Sequence, residues 1–206
     1  MNYKTKQEEF WAGDFGNKYI GRNKSDDYLA SNLNFFSKTF AHIQKPSSVI
    51  EFGANIGMNL KAIKLLYPGI NSFGIEINEE AVKVLKEVTG ESNVFLGSIF
   101  DYDPIKKYDV AMIKGVLIHI NPEYLGDVYQ KLYDSSNKYI LICEYYNPSP
   151  VTINYRGHSD RLFKRDFTGE MLDKFGDLSL IDYGFVYRRD ISFPQDDITW
   201  FLLKKE

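Results

Sequence analysis

Four chemically capable side chains close four apolar runs in the first 114 residues of this chain. Glu51 follows Ser48-Val49-Ile50, and Glu76 follows Ser72-Phe73-Gly74-Ile75. Ser98 follows Asn93-Val94-Phe95-Leu96-Gly97, and Lys114 follows Tyr108-Asp109-Val110-Ala111-Met112-Ile113. After Glu51 comes Phe52-Gly53-Ala54-Asn55-Ile56-Gly57, then a helical pattern from Met58 to Leu66. Such a glycine turn lets backbone bend sharply and approach a ligand, and the helix start offers free N–H groups. The expectation is a nucleotide-like cofactor. A pyrophosphate is poorly served, because Asn55 stands between Gly53 and Gly57 and no third glycine follows in the right place. Glu51 before the turn opposes a polyanion and suits a cationic or zwitterionic ligand. Glu76 is placed to accept from both hydroxyls of a ribose, and Ser98 with Ile99 to bracket an adenine.

These positions need strands that end together. The runs at 48–52, 72–77, 93–96, 108–113 and 138–145 read as strands, with helices expected at 57–66, 79–88 and 122–133. The run at 108–113 is apolar enough for a strand buried on both faces. The order β-α-β-α-β-β-α-β predicts a doubly wound parallel sheet, which binds ligands at the carboxyl ends of its strands. Ser25 or Asp26 caps an expected helix to about Ala41. Residues 147–167 read as irregular, Thr168 as the cap of a short helix, and 178–188 and 198–204 as a terminal strand pair. No repeat or linker divides the chain, so 1–206 is expected to be one domain. Its residues 1–45 are an aromatic arm and helix acting as cover, and 147–167 a substrate-side insertion.

Composition narrows the field. The 206 residues carry a net charge of −3, which supplies no basic field for nucleic acid. A single cysteine, Cys143, excludes an internal disulfide and a thiolate cluster. No apolar run suits a signal region or a membrane span. The expectation is a cytoplasmic monomer or homodimer with a small-molecule substrate, no metal, no nucleic acid and no membrane.

The motif Glu51-Phe52-Gly53-Ala54-Asn55-Ile56-Gly57, Glu76, Ser98-Ile99 and the stretch Tyr108 to Ile120 resemble the class I S-adenosylmethionine-dependent methyltransferases. The resemblance implies a Rossmann-like seven-stranded sheet of order 3-2-1-4-5-7-6 with the last strand antiparallel. It implies S-adenosylmethionine as cofactor. The Phe10-Trp11-Ala12-Gly13 arm and the Tyr155-Arg156-Gly157-His158 stretch are further similar to methylases associated with pseudaminic acid biosynthesis. That points to a sugar or nucleotide-sugar of a bacterial surface-glycan pathway. Carried over, Gly53, Ala54, Asn55 and Gly57 approach the methionine part, and Glu51 faces its ammonium. Glu76 holds the ribose, Ile77 flanks the adenine, and Ser98 and Ile99 hold its edge. Lys114, Gly115 and Leu117 run beside the sulfonium. Trp11, Tyr19 and Arg22 are the candidate cover, with Arg22 on the carboxylate. The family turn more often has glycine at Asn55, whose side chain narrows the pocket or hydrogen-bonds there.

Methyl transfer needs an aligned nucleophile, exclusion of water and, for an oxygen nucleophile, a base. His119, Tyr145, Glu144 and His158 are the candidates, in that order. Tyr155, Arg156, Arg161 and Arg165 form a fork suited to an anionic acceptor. Two alternatives stay open: a Rossmann oxidoreductase binding NAD or a nucleotide-sugar, and a catalytically silent cofactor-binding pathway partner.

Overall fold

The computed structural model describes residues 3–21, 25–155 and 157–206, with backbone alone at 158–160. Five parallel strands come first: β1 (Ser48–Phe52), β2 (Asn71–Glu76), β3 (Val94–Leu96), β4 (Tyr108–Lys114) and β5 (Ser136–Glu144). A hairpin follows, β6 (Val151–Tyr155) and β7 (His158–Lys164), then the pair β8 (Leu178–Val186) and β9 (Ile198–Lys205). The main sheet runs β3-β2-β1-β4-β5-β9-β8, with β9 antiparallel to both its neighbours. Counting the sheet strands alone, this is the expected order, and the Rossmann-like prediction holds.

Helices α3 (Asp26–Thr39), α4 (Met58–Leu66) and α5 (Glu79–Thr89) accompany one core. It holds Phe36, Leu60, Ile63, Val110 and Met112. The other core joins Phe52, Ala111, Ile113, Leu132 and Met171 with α6 (Leu125–Ser135) and α7 (Phe167–Lys174). Alternate residues of β4 enter the two cores, so Tyr108 to Ile113 are all buried. Each buried large aliphatic or aromatic chain contributes about 1.5–3 kcal/mol, which fixes the strand ends that carry the site. Among the described residues, no helix is long and apolar enough to cross a membrane.

Three local expectations change. Residues 151–164 are not irregular but a hairpin, turned at Gly157 with φ 87°. Pro148 and Pro150 precede its first strand and interrupt nothing. Asp166, not Thr168, caps α7, because its carboxylate accepts from the Gly169 N–H at 2.8 Å. The aromatic arm is two short helices, α1 (Lys6–Ala12) and α2 (Asp14–Ile20). A capping box between Thr5 and Glu8 starts the first.

Candidate functional site

The turn after β1 is bolted to the end of β2. Gly53 and Ala54 both donate to the Ile75 carbonyl at 2.9 Å. The Asn55 N–H donates to Glu76 Oε2 at 2.7 Å, and the Asn78 N–H to Glu76 Oε1 at 2.8 Å. Gly53 (φ 74°) lies against Val116, where an added Cβ would meet Cγ2 at 2.6 Å. Asn55 occupies the left-handed region at φ 49°, which asparagine tolerates better than most residues. Its Oδ1 accepts from the Ile56 N–H at 2.8 Å, so it hydrogen-bonds in the turn.

Beyond this turn lies a cavity of about 190 Å³, many times the ~10–15 Å³ that admits one water. Trp11, Tyr19, Gly53, Ala54, Asn55 and Glu76 line it, as do Ile77, Ser98, Ile99, Lys114 and Gly115. These eleven expected cofactor residues therefore come together, across five separate chain segments. His119 also lines the cavity. The sequence reading missed Tyr28, Asn59, Asn78 and Asp196 on the same wall. Asn59 sits in the first turn of α4, just past Gly57, a spacing that places it over the same strand end.

The electrostatics are those of a polar, desolvated site. Burial pushes the Glu51 carboxyl up to about 8, against the Asn59 hydrogen bond and nearby Lys114. Its Oε1 accepts from Asn59 Nδ2 at 2.6 Å, while Oε2 is buried without a partner. Burial likewise raises the Glu76 carboxyl despite its backbone donors. Lys114 is raised by Tyr28, Cys143 and Glu51, which outweigh its burial. Its ammonium lies 3.4 Å from the Tyr28 hydroxyl and 5.5 Å over that ring.

His119 ends a 3-10 turn, Leu117–His119, and is 8% exposed. Its Nδ1 lies 2.6 Å from the Arg161 carbonyl on β7. A carbonyl only accepts, so Nδ1 carries the hydrogen and Nε2 is left as an acceptor. Burial lowers the imidazole to about 4, so the ring is neutral at pH 7. Trp11 and Tyr155 flank it, with ring centroids at 4.8 and 5.3 Å.

Other expected residues have different work. Glu144 is buried outside the cavity wall, its oxygens accepting from Val116, Leu117 and Ile118 at 2.9, 2.8 and 3.4 Å. It clamps the turn that carries His119 and is not placed as a base. Leu117 is fully buried in the core, and Gly57 (φ 79°) caps α4 beneath Leu85; neither lines the cavity. Glu51 stands behind the wall, reaching it through Asn59. Arg165 pairs with Glu170, whose other oxygen accepts from Tyr129, and so lies away from the cavity. Tyr145 is half-buried outside the wall, under the Lys164 ammonium at 5.1 Å, and burial raises its hydroxyl above the usual value. Tyr155 reaches the site through its ring against His119, whereas Arg161 reaches it by its carbonyl alone, its guanidinium lying 5.5 Å over the Phe10 ring. Arg22 and Arg156 lie outside the described residues, and His158 is described by backbone only. Among the described residues, no group of three or more His, Cys, Asp or Glu could hold a metal ion.

No protein-family model and no curated protein matches this chain. Solved structures share its fold. The 1,6-didemethyltoxoflavin-N1-methyltransferase of Burkholderia thailandensis, with 1,6-didemethyltoxoflavin and S-adenosylhomocysteine bound, superposes with a TM-score of 0.73. The match covers 100% of this chain and 92% of that one, at 17% identity. The magnesium protoporphyrin IX methyltransferase of Synechocystis PCC 6803, with bound S-adenosylmethionine, gives 0.69 over 100% of both chains at 12% identity. A plantazolicin methyltransferase in complex with S-adenosylhomocysteine gives 0.64 over 97% of this chain and 94% of that one, at 16% identity. The fold is therefore that of Rossmann-like S-adenosylmethionine-dependent methyltransferases. At these identities the likeness concerns architecture.

Proposed function

We propose that this protein transfers a methyl group from S-adenosylmethionine to a small-molecule acceptor. The observation that carries the reading is Glu76. It closes β2, lines the cavity, and is held by the backbone N–H groups of Asn55 and Asn78, one on each oxygen, with that of Ile77 also directed at it. A carboxylate so fixed suits a pair of vicinal hydroxyls. The remaining donor set also fits. Ile77, Ser98 and Ile99 offer one apolar slot with a hydroxyl at its edge. Glu51, with an orphaned buried oxygen, favours a cation nearby. When bound, the cofactor supplies a methyl carbon activated by its sulfonium.

The chain's own residues do the rest. His119 Nε2 accepts the hydrogen of an acceptor hydroxyl or amine and so aims its lone pair. Glu144 and the Arg161 carbonyl hold that imidazole in place and in tautomer. The arm α1–α2, through Trp11, Tyr19 and Ile20, covers the cavity and excludes water. The acceptor in this reading is a sugar or nucleotide-sugar of a bacterial surface-glycan pathway. The likeness of the arm and of Tyr155 to His158 to pseudaminic acid-associated methylases supports it. The small-molecule ligands of the solved relatives support the acceptor's size.

Calorimetric titration tests the cofactor. Micromolar binding of S-adenosylmethionine and S-adenosylhomocysteine, lost in Glu76→Ala, is expected. Binding of NAD alone would overturn the reading. Methylation of a sialic-acid-like sugar panel then tests the acceptor.

A further inference from the structure

Asn78, two residues beyond Glu76, is 3% exposed, and its N–H and side-chain amide are all committed. Its N–H donates to Glu76 Oε1 at 2.8 Å. Its Oδ1 accepts from the Ala81 N–H at 3.0 Å and caps α5. Its Nδ2 faces three acceptors, all on the arm: Asn17 Oδ1 at 2.8 Å, the Trp11 carbonyl at 3.3 Å and the Ala12 carbonyl at 3.4 Å. Two protons serving three acceptors tie the end of α1 and the middle of α2 to one point of the sheet. The seat is close. A Cβ on Gly16 would lie 1.9 Å from the Trp11 carbonyl oxygen and 2.9 Å from Asn78 Nδ2, so only glycine permits this approach. Ile20 packs beside the same seat against Ile56 and Ala81.

The arm held in this way brings Trp11, Gly16, Tyr19 and Ile20 to the cavity wall. The residue that holds it also donates to the carboxylate we assign to the ribose. We infer that Asn78 is a positioning residue: a latch whose side-chain amide keeps the arm closed over bound cofactor and whose backbone links that closure to Glu76. Asn78 touches no atom of the methyl acceptor in this scheme. It acts through the arm, and it sets how long the cofactor stays. The inference rests on the cofactor reading for its kinetic half, while the closure of the arm is testable in the empty protein.

Three variants separate latch from scaffold. Asn78→Asp keeps the oxygen that caps α5 but replaces the donor with a carboxylate facing three acceptors. Asn17→Ala removes one acceptor on α2 and leaves the sheet untouched. Asn17→Asp keeps an acceptor and serves as the conservative rescue. Release of S-adenosylhomocysteine, followed by stopped-flow tryptophan fluorescence, is expected to be about tenfold faster in the first two and unchanged in the third. In Asn17→Ala, which lies off the cavity wall, the cofactor KM rises with it while kcat holds. Amide exchange across residues 6–20 of the empty protein accelerates in the same two variants. Wild-type release rates and wild-type exchange in both would overturn the latch. Should the wild-type protein bind no S-adenosylhomocysteine, the cofactor reading falls, and exchange across 6–20 alone decides whether Asn78 holds the arm.

Discussion

Replacing Glu144 by Gln is expected to flatten the dependence of stability on pH. Burial pushes this carboxyl from 4.5 up to about 7, against its three backbone donors and Lys114. Between those two values the folded chain keeps a proton that the unfolded chain has lost. The native state then binds more protons, so stability falls as pH rises. Glu144's contribution is fully present below about 4.5 and is lost as pH rises through about 7. At ~1.36 kcal/mol per pH unit the whole loss is about 3 kcal/mol. The substituted glutamine does not titrate, yet its oxygen still serves Val116 and Leu117, the two shorter contacts. Urea unfolding of both proteins at pH 5 and pH 8 measures the effect. The difference between them should move by about 3 kcal/mol in favour of the variant at pH 8. Taking that difference cancels every other titrating group, Glu51 included. A movement below ~0.5 kcal/mol, the scatter of neutral substitutions, would refute the argument that burial governs this carboxyl.

Glu51, pushed up to about 8, holds its proton at pH 7 in the empty protein. Binding of an ammonium-bearing cofactor should therefore release roughly one proton and tighten as pH rises toward 8. Calorimetry in buffers of different ionisation enthalpy reads the release, and Glu51→Gln should abolish it; a wild-type enthalpy independent of buffer sinks the idea. His119, lowered to about 4, is neutral across the working range. Its profile of kcat/KM should show no imidazole limb between pH 6 and 8, and His119→Ala should cost about 100-fold in turnover. Full activity in that variant would remove His119 from the reaction. Gly57→Ala forces alanine to φ 79° with its Cβ 2.8 Å from Leu85, whereas Gly69→Ala at φ 89° meets open space. The first should cost about 1–3 kcal/mol more stability than an unstrained change and exceed the second in denaturant titration. Equal costs would mean that Leu85 yields freely.

The strand-turn-helix frame was legible because β-branched runs end at glycine and because sheet ends collect ligand-facing residues. Glu76, Ser98 and Lys114 were found in this way, and all three line the cavity. What failed to show in the sequence depends on what packs behind a residue. Glu144 and Arg165 look like free charges in a string of letters, and only the folded chain shows their partners. The hairpin was hidden by charge density and two nearby prolines, although Val151, Ile153 and Tyr155 alternate. The helical arm was hidden by its glycines and rings. Thr5-Lys6-Gln7-Glu8 did carry the cap signature that would have exposed it. Asn78 caps α5, and its amide's hold on the arm had no sequence signal at all.

The place of β9 has a consequence for assembly. It follows every other strand in the chain, yet it lies between β5 and β8. Strands β1 to β5 can zip together as they emerge from synthesis, each beside a partner already made or soon to follow. β8 has no neighbour until β9 arrives, and until then β5 is an open edge beside the half-built site. Glu144 pairs with Thr199 across that late seam. The carboxylate that steadies the His119 turn is thus set when the final strand docks. A chain stalled before residue 198 would therefore present an exposed strand edge beside an unfinished cavity.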